Sequence, residues 1–440
     1  MSLTIIELND SEIRTFKDSE IISREPGYAV LKPEKIETGI EAWRTARTNP
    51  RETHNRYWSQ LSEDSLIVPS QLARHNADLA YAQLISIHKQ VGEPEEIFFI
   101  VPGHFSRVQL SLLLGIIEAC PFSAAGLIDS AIASTFAVSD AGHYSHVDIH
   151  LHYTIITTIN ITDQITRESV KIVDTVGISK IYDTCAEYLS NLFIDQARFD
   201  PLHHAETEQK LYNQIPACLS TLKTSNESTL EIFYENNRYQ VKVSTNTLLK
   251  KMNQHYEKIY SELAGSAINL ISDRLNILPG FAEGINYCTP ITEESVFTGC
   301  QINIKDVRCT GPNLNLITAL PIAKDPIKLT KNLHKISNTT NHKIRQSGLP
   351  THILVNNQAY PVTKQRLYIS ANNGTPNLNA EGADISFVYQ NRTAEVRSEN
   401  NCTLYVNNNQ VSDSSVVNTG DTISFAKSEM IIKCIEAISD

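Results

Sequence analysis

The stretch running from His146 to Thr154 alternates polar and apolar residues one by one. Successive side chains point to opposite sides only when the chain is extended. The pattern therefore predicts a β-strand with His146, Asp148, His150, His152 and Thr154 on one face. Val147, Ile149, Leu151, Tyr153 and Ile155 line the other, buried face. Ionisable residues in a row on so apolar a strand admit three readings: a metal site, a phosphate-binding turn, or a solvated surface. The metal reading has chemistry behind it. Histidines at i and i+2 on one strand face can share a zinc ion, with the Asp148 carboxylate as a third ligand. His143, His203 and His204 are further donors.

The surrounding segments alternate between strand and helix patterns. Residues 3–8 read as a strand, Asn9-Asp10-Ser11 as a turn, and residues 12–16 as a returning strand. A helix is predicted over Ser70–Val91. Ile97–Val101 is a continuous apolar run, as expected for a strand covered on both faces, and Pro102-Gly103 ends it. A helix with Ser106 as N-cap, a strand over Phe122–Leu127 and a small-residue helix over Asp129–Phe136 follow. Next come a hairpin of 147–161 with 169–174 and a helix over Ile178–Phe193. A helix over His204–Leu222 is limited or kinked by Pro216. After a hairpin of Thr229–Tyr234 with Tyr239–Val243, a helix spans Thr245–Leu263. A strand over Ala267–Ser272 precedes Leu278-Pro279-Gly280.

At 440 residues the chain is too long for one ordinary domain. A polar, basic run over 326–350 reads as a linker. It separates an α/β core, residues 1–325, from a strand-rich module, residues 351–440, with Asn and Gly at its turns. The net charge of -11 argues against a general nucleic-acid or anionic-membrane surface, because phosphate backbones demand a basic field. The eight cysteines are scattered without a C-x-x-C pair, which excludes a zinc ribbon and fits a reducing compartment. With no signal-like start and no run of roughly 20 apolar residues, a cytoplasmic protein without a membrane span is expected. Trp43 and Trp58 with Arg44, Arg47, Arg51 and Arg56 form either an anion-facing surface or ordinary helix packing edged by solvated arginines.

Three segments carry a resemblance. FFIVPGHFSRVQLSLLLGIIEACPFSAAGLIDSAIASTF, VDIHLHYTIITTINI with SVKIVDTVGISKIYDTCAEYL, and INLISDRLNILPGFAEGI together resemble the actin and heat-shock-chaperone ATPase superfamily. That resemblance covers roughly residues 1–290 and implies two ribonuclease-H-like lobes with a nucleotide cleft between them. It implies ATP or ADP with magnesium, held through water by the catalytic carboxylates Asp129 and Asp148. Asn9 and Ser11 would face the phosphates. His150, His152 and Thr154 fall in the second phosphate turn, Gly177 in the turn after it, and Ser272 and Asp273 on the adenosine side.

The departures from the family pattern bear on function. The first turn, Leu8-Asn9-Asp10-Ser11, has no glycine. His150, Leu151 and His152 stand where the second turn keeps glycines, and Ser272-Asp273 replaces a glycine pair. Those glycines let backbone N–H groups approach phosphate oxygens, and a Cβ obstructs that approach. The expectation is a non-catalytic or weakly nucleotide-binding scaffold. The alternative is an active Mg-ATP-dependent chaperone-like or filament-forming ATPase.

The module at 351–440 is similar to a forkhead-associated domain, carried by THILVNNQAYPVTKQRLYIS and by the strand ending in Asn407, Val411 and Gly420-Asp421. The resemblance implies a β sandwich that engages a protein partner, with Arg392, Arg397 and Asn407 as candidate contact residues. Ser370-Ala371 and Thr393-Ala394-Glu395 replace that family's phosphate-reading residues, so a strong phosphopeptide reader is not expected.

Overall fold

A computed structural model describes residues 3–18, 20–136, 141–263, 268–285, 287–309 and 314–321. Beyond these it describes 350–355, 358–362, 365–370, 376–378, 382–390, 393–400, 402–406, 409–411, 413–417, 421–425 and 428–435. The chain divides into two compact units, Met1–Ile336 and Ser337–Asp440. The linker expected at 326–350 lies outside the described residues except for Pro350.

The first unit is mixed α/β and is built on two sheets. In one, the strand Thr4–Glu7 pairs antiparallel with Ile13–Lys17, which pairs with Glu20–Glu25. On its other side Glu96–Val101 and then Ser123–Asp129 run parallel to it. In the other sheet Gly142–Ile149 pairs antiparallel with Thr154–Ile161, followed by Gln164–Val173. On its other side Ile268–Ile271 and Cys288–Pro290 run parallel to it. The two sheets thus share strand order and polarity. The short strands Leu316–Ile317 and Ala319–Pro321 add an edge to each sheet in turn. Because the order is duplicated, the first hairpin turn of each sheet, residues 8–12 and 150–153, occupies an equivalent place.

Local sequence accounts for most of these elements. Ser106 caps the helix Arg107–Glu118, accepting from Gln109 N while the Gln109 side chain accepts from Ser106 N. All residues of the strand Glu96–Val101 except the first are buried, as a continuous apolar run requires. The helix Ala205–Thr224 runs through Pro216 unbroken. Proline removes one hydrogen bond, but Leu211, Ile215, Cys218, Leu219 and Leu222 stay buried on the inner face and hold the helix together. The helix expected from Ser70 begins only at Asn76. The preceding residues form a clasp closed by a bridge between Ser65 and His75.

The expectation of one long strand through 146–154 is overturned. The strand Gly142–Ile149 stops, residues 150–153 turn, and Thr154–Ile161 returns beside it. The alternating pattern straddles a tight hairpin rather than a single strand. The polar set is also not a wet face. His146, Asp148, His150 and Thr154 are all buried, because both faces of the strand are covered.

Helix Glu293–Ile302 packs on the short helix Ser130–Thr135 at very close range. A Cβ on Gly299 would stand 1.9 Å from the Ala133 carbonyl oxygen. Nearby, Phe16 and Phe297 stack with ring centroids 5.0 Å apart. Among the described residues no helix is long and apolar enough to cross a membrane.

The second unit holds two antiparallel sheets. One contains the strands His352–Val355, Gln358–Pro361, Leu404–Val406, Asn409–Val411, Thr422–Phe425 and Ser428–Ile435. The other contains Leu367–Ile369, Ile385–Gln390, Thr393–Ser398 and Ser414–Val417. Inward-facing residues of both, including Ile353, Ile385, Phe387, Leu404 and Phe425, share one core.

Gly299→Ala should force the two helices apart and lower stability by about 1–3 kcal/mol, the usual range for overpacking. Urea denaturation checks this, and an unchanged midpoint would contradict the close crossing.

Candidate functional site

The two equivalent hairpin turns meet face to face. In the first, Asn9 Oδ1 accepts from Ser11 N (2.9 Å) and from the Ser11 hydroxyl (2.7 Å), fixing the turn locally. The Asn9 amide then donates across to Asp148 Oδ2 (2.9 Å) and to the Ile149 carbonyl (3.1 Å). Asp10 Oδ1 accepts the backbone N–H of Leu151 (2.8 Å) and the Nδ1–H of His150 (3.2 Å). A carboxylate of the first turn therefore occupies the backbone donor of the second.

Charged side chains close the space beside these turns. Arg274 stands three residues after the strand Ile268–Ile271, and its guanidinium is bidentate to Glu7 at 3.0 and 2.7 Å. It also donates to the Glu12 carbonyl and stands 3.7 Å from Asp148 Oδ2. Arg14 is bidentate to Asp273 at 3.0 and 2.7 Å and pairs with Glu12. Arg24 joins Glu12 and Glu293 at 3.0 and 2.8 Å. Such planar fork-to-fork pairs fix orientation as well as charge.

Burial sets the protonation of this network. It alone would raise the Asp148 carboxyl, but Arg274, His150 and His146 bring it down to about 2. It would likewise raise Asp10, yet the hydrogen bond and charge of His150, with the Leu151 N–H, hold it below the ordinary carboxylate value. Burial would lower Arg274, whereas Glu7 and Asp148 push it far above its usual value. His104 is the opposite case. Burial, reinforced by the charge of His150, pulls it down to about 3. Its Nε2 is hydrogen-bonded to the Tyr153 hydroxyl at 2.9 Å, and Tyr153 stacks on His150 with centroids 4.9 Å apart.

The remaining sequence candidates divide between this network and elsewhere. Thr154 donates to the Val176 carbonyl (2.8 Å), tying the hairpin to the loop before Gly177. Gly177 precedes helix Ile178–Ala197, and a Cβ there would lie 2.4 Å from the His152 carbonyl carbon. His152 turns away from His150 and donates through Nε2 to the Asn55 carbonyl (2.8 Å). His146 is fully enclosed, and burial lowers its imidazole despite the nearby Asp148. Ser272 is the N-cap position of helix Asp273–Asn276. Asp129 caps helix Ser130–Thr135, accepting from Ala131 N and Ile132 N at 2.9 and 3.2 Å, and pairs with Arg167 at 2.5 Å. Burial raises its carboxyl, while Arg167 opposes the rise. Among the described residues no three His, Cys, Asp or Glu side chains are placed to hold a metal ion. His150 and His152 point at separate partners because the turn, not a strand face, carries them.

The cavity between Glu7, His146, Asp148, Ser272 and Arg274 measures about 10 Å³. That is room for one water, against the ~300 Å³ or more of a small-molecule site. A nucleotide triphosphate does not fit it in this arrangement. The Leu151 N–H is taken by Asp10, and Asp148 is held by Asn9 and Arg274.

Several residues of the network, among them Glu7, Asp10, Glu12, Arg14 and Arg274, were not singled out by the sequence. Glu7 ends a strand that is otherwise largely apolar, and Arg274 lies in the short helix Asp273–Asn276 just after another strand. A lone charge against a buried strand is the signal that could have found both. Trp58 is packed, its indole N–H donating to Gln83 Oε1 (2.7 Å). Arg47 pairs with Asp183 and lies 3.7 Å over the Tyr212 ring. In the second unit Arg397 pairs with Glu395 at 3.0 Å. Arg392 and Asn407 lie outside the described residues.

No protein-family model matches the chain, and no curated protein is detectably similar to it.

Arg274→Ala should cost about 3–5 kcal/mol by leaving Glu7 buried without its partner, whereas exchanging Glu7 and Arg274 together for apolar residues should cost far less. Thermal melts of the single and double variants check the difference. The histidines give a second expectation. His104 is depressed in the folded chain but titrates near ~6.5 when unfolded, so the unfolded state binds more protons at acid pH. Stability is full above ~6.5 and falls as pH drops through about 6.5 toward 3. Urea midpoints across that window should fall steadily in the native protein and less steeply in His104→Asn.

Proposed function

We propose that residues 1–336 form a two-lobed, actin- and heat-shock-chaperone-like ATPase fold that has given up nucleotide turnover and serves as a scaffold. In this reading the duplicated sheets are its ribonuclease-H-like lobes, and the cleft is bound by its own side chains. Protein partners are engaged through a forkhead-associated-like β sandwich, without dependence on phosphate. The setting is the cytoplasm, a reading favoured by eight free cysteines.

One observation carries the proposal. Asp10 accepts the Leu151 N–H across the junction of the two turns. A carboxylate there supplies the negative charge that a phosphate would otherwise bring. Being part of the chain, it competes at a high effective concentration and needs no diffusion. Nucleotide entry would have to break Asp10–Leu151, Asn9–Asp148 and Arg274–Glu7 together, each of them buried. The pairing of Arg397 with Glu395 likewise leaves that arginine engaged without a phosphate.

Calorimetric titration with Mg-ATP tests the reading. The expected outcome is no micromolar binding heat. Saturable micromolar binding that needs magnesium and disappears in Asp148→Asn, with the melting temperature retained, would replace the scaffold by an active ATPase. For the sandwich, phosphothreonine peptides should give no saturable thermal shift that Arg397→Ala removes.

A further inference from the structure

A second concavity lies on the first unit, away from the sealed junction. It encloses about 520 Å³, within the size range of ligand pockets. One wall is the strand Thr53–His54 and the turn after it, through Leu61. The opposite wall is the clasp 62–67, and Asn76 and Gln109 from two helix starts line it as well. The clasp is built to hold its shape. Leu66 N donates to the Arg74 carbonyl (2.8 Å), Ser70 Oγ accepts from Leu72 N and Ala73 N, and the Asn76 amide donates to the Gln60 carbonyl (2.8 Å).

The lining carries charges of both signs over an apolar base. Arg56 and Asp64 both face this space, and neither makes an ion pair among the described residues. Five other arginines of the unit, Arg14, Arg24, Arg47, Arg167 and Arg274, are ion-paired. His54 lines the same wall, and its buried Nε2 has no hydrogen-bond partner. The floor is apolar, from Tyr57, Leu61 and Leu66. Ile67 stands at the rim with 98% of its surface exposed. An isolated exposed isoleucine is ordinary by itself. Here it adjoins a pocket with an apolar floor and two unpaired opposite charges.

We propose that this pocket binds a zwitterionic ligand of the short-peptide class, with its carboxylate on Arg56, its ammonium on Asp64 and an apolar side chain over Leu61, Leu66 and Ile67. A guanidinium fork suits a carboxylate, an isolated carboxylate suits an ammonium, and the amides of Gln60, Asn76 and Gln109 suit peptide groups between them. One hydrogen bond links the pocket to the second hairpin turn: Asn55 lines the pocket, and its carbonyl accepts from His152. Occupancy is therefore visible at the His152 imidazole.

Calorimetry with the full chain and three probes tests the assignment: Leu-Leu, N-acetyl-Leu-Leu and Leu-Leu-amide. Arg56 and Asp64 are exposed, so Arg56→Ala and Asp64→Asn should fold, as far-UV circular dichroism will verify. The native protein should bind Leu-Leu and lose about tenfold in affinity, some 1.4 kcal/mol, for each capped form. Arg56→Ala should abolish the penalty for the amide cap, and Asp64→Asn the penalty for the acetyl cap. The His152 proton resonances should move on saturation. Absence of Leu-Leu binding at millimolar concentration, or equal binding of all three probes by the native protein and both variants, would overturn the proposal. Neither result depends on whether the junction binds nucleotide.

Discussion

The Arg274–Glu7 pair decides how the two sheets of the first unit sit against each other. Glu7 ends a central strand of one sheet, and Arg274 lies in the first turn of the helix that follows a strand of the other. Both are buried, and their fork geometry permits one relative placement. A buried ion pair of this kind contributes little net stability over an apolar substitute, because desolvating two charges costs about what their attraction returns. Its effect is on specificity. Once each charge is out of water, any displacement that separates them leaves an uncompensated charge, so the two sheets are held in register.

The rest of the junction depends on that register. With the sheets fixed, the hairpin turns 8–12 and 150–153 stand close enough for Asn9 to reach Asp148 and for Asp10 to reach the Leu151 N–H. Glycines at the turns would have left space and free N–H groups there. Side chains fill the space and take the donors. The side chains that fill the space also bring charge into it, since Asp10 and Asp148 are both buried there. His104, Tyr153 and His150 cluster beside Asp10, and the low proton affinity of His104 makes the folded chain acid-sensitive.

Much of the architecture was legible in the sequence. The apolar run before Pro102, the Ser106 cap and the alternating short strands after residue 350 each specify their element through local rules. The alternation at 146–154 was informative and still misleading. A period of two marks extended chain, but a tight hairpin keeps the same alternation on both of its arms. The pattern cannot show where the chain reverses, and here it reverses at His150. Pro216 misled in the other direction, since a buried apolar face outweighs one missing hydrogen bond. At the junction, Asp148, Asn9, His150 and Ser11 were visible as candidates because they fall at turns and strand ends. Glu7, Asp10 and Arg274 were not, since each looks like an ordinary charge until its partner, more than 100 residues away, is brought to it.

By itself the sequence determined an α/β core followed by a strand-rich module, an acidic chain, and turns without the glycines that phosphate binding favours. These are local properties, set by periodicity, composition and the presence or absence of a Cβ. Only the tertiary structure decided that the polar residues at 146–154 are buried, that the two turns bind each other, and that Arg56 and Asp64 share an open pocket. Those facts depend on contacts between residues far apart in the chain. Whether a charge is paired, solvated or waiting for a ligand depends on what folding sets beside it.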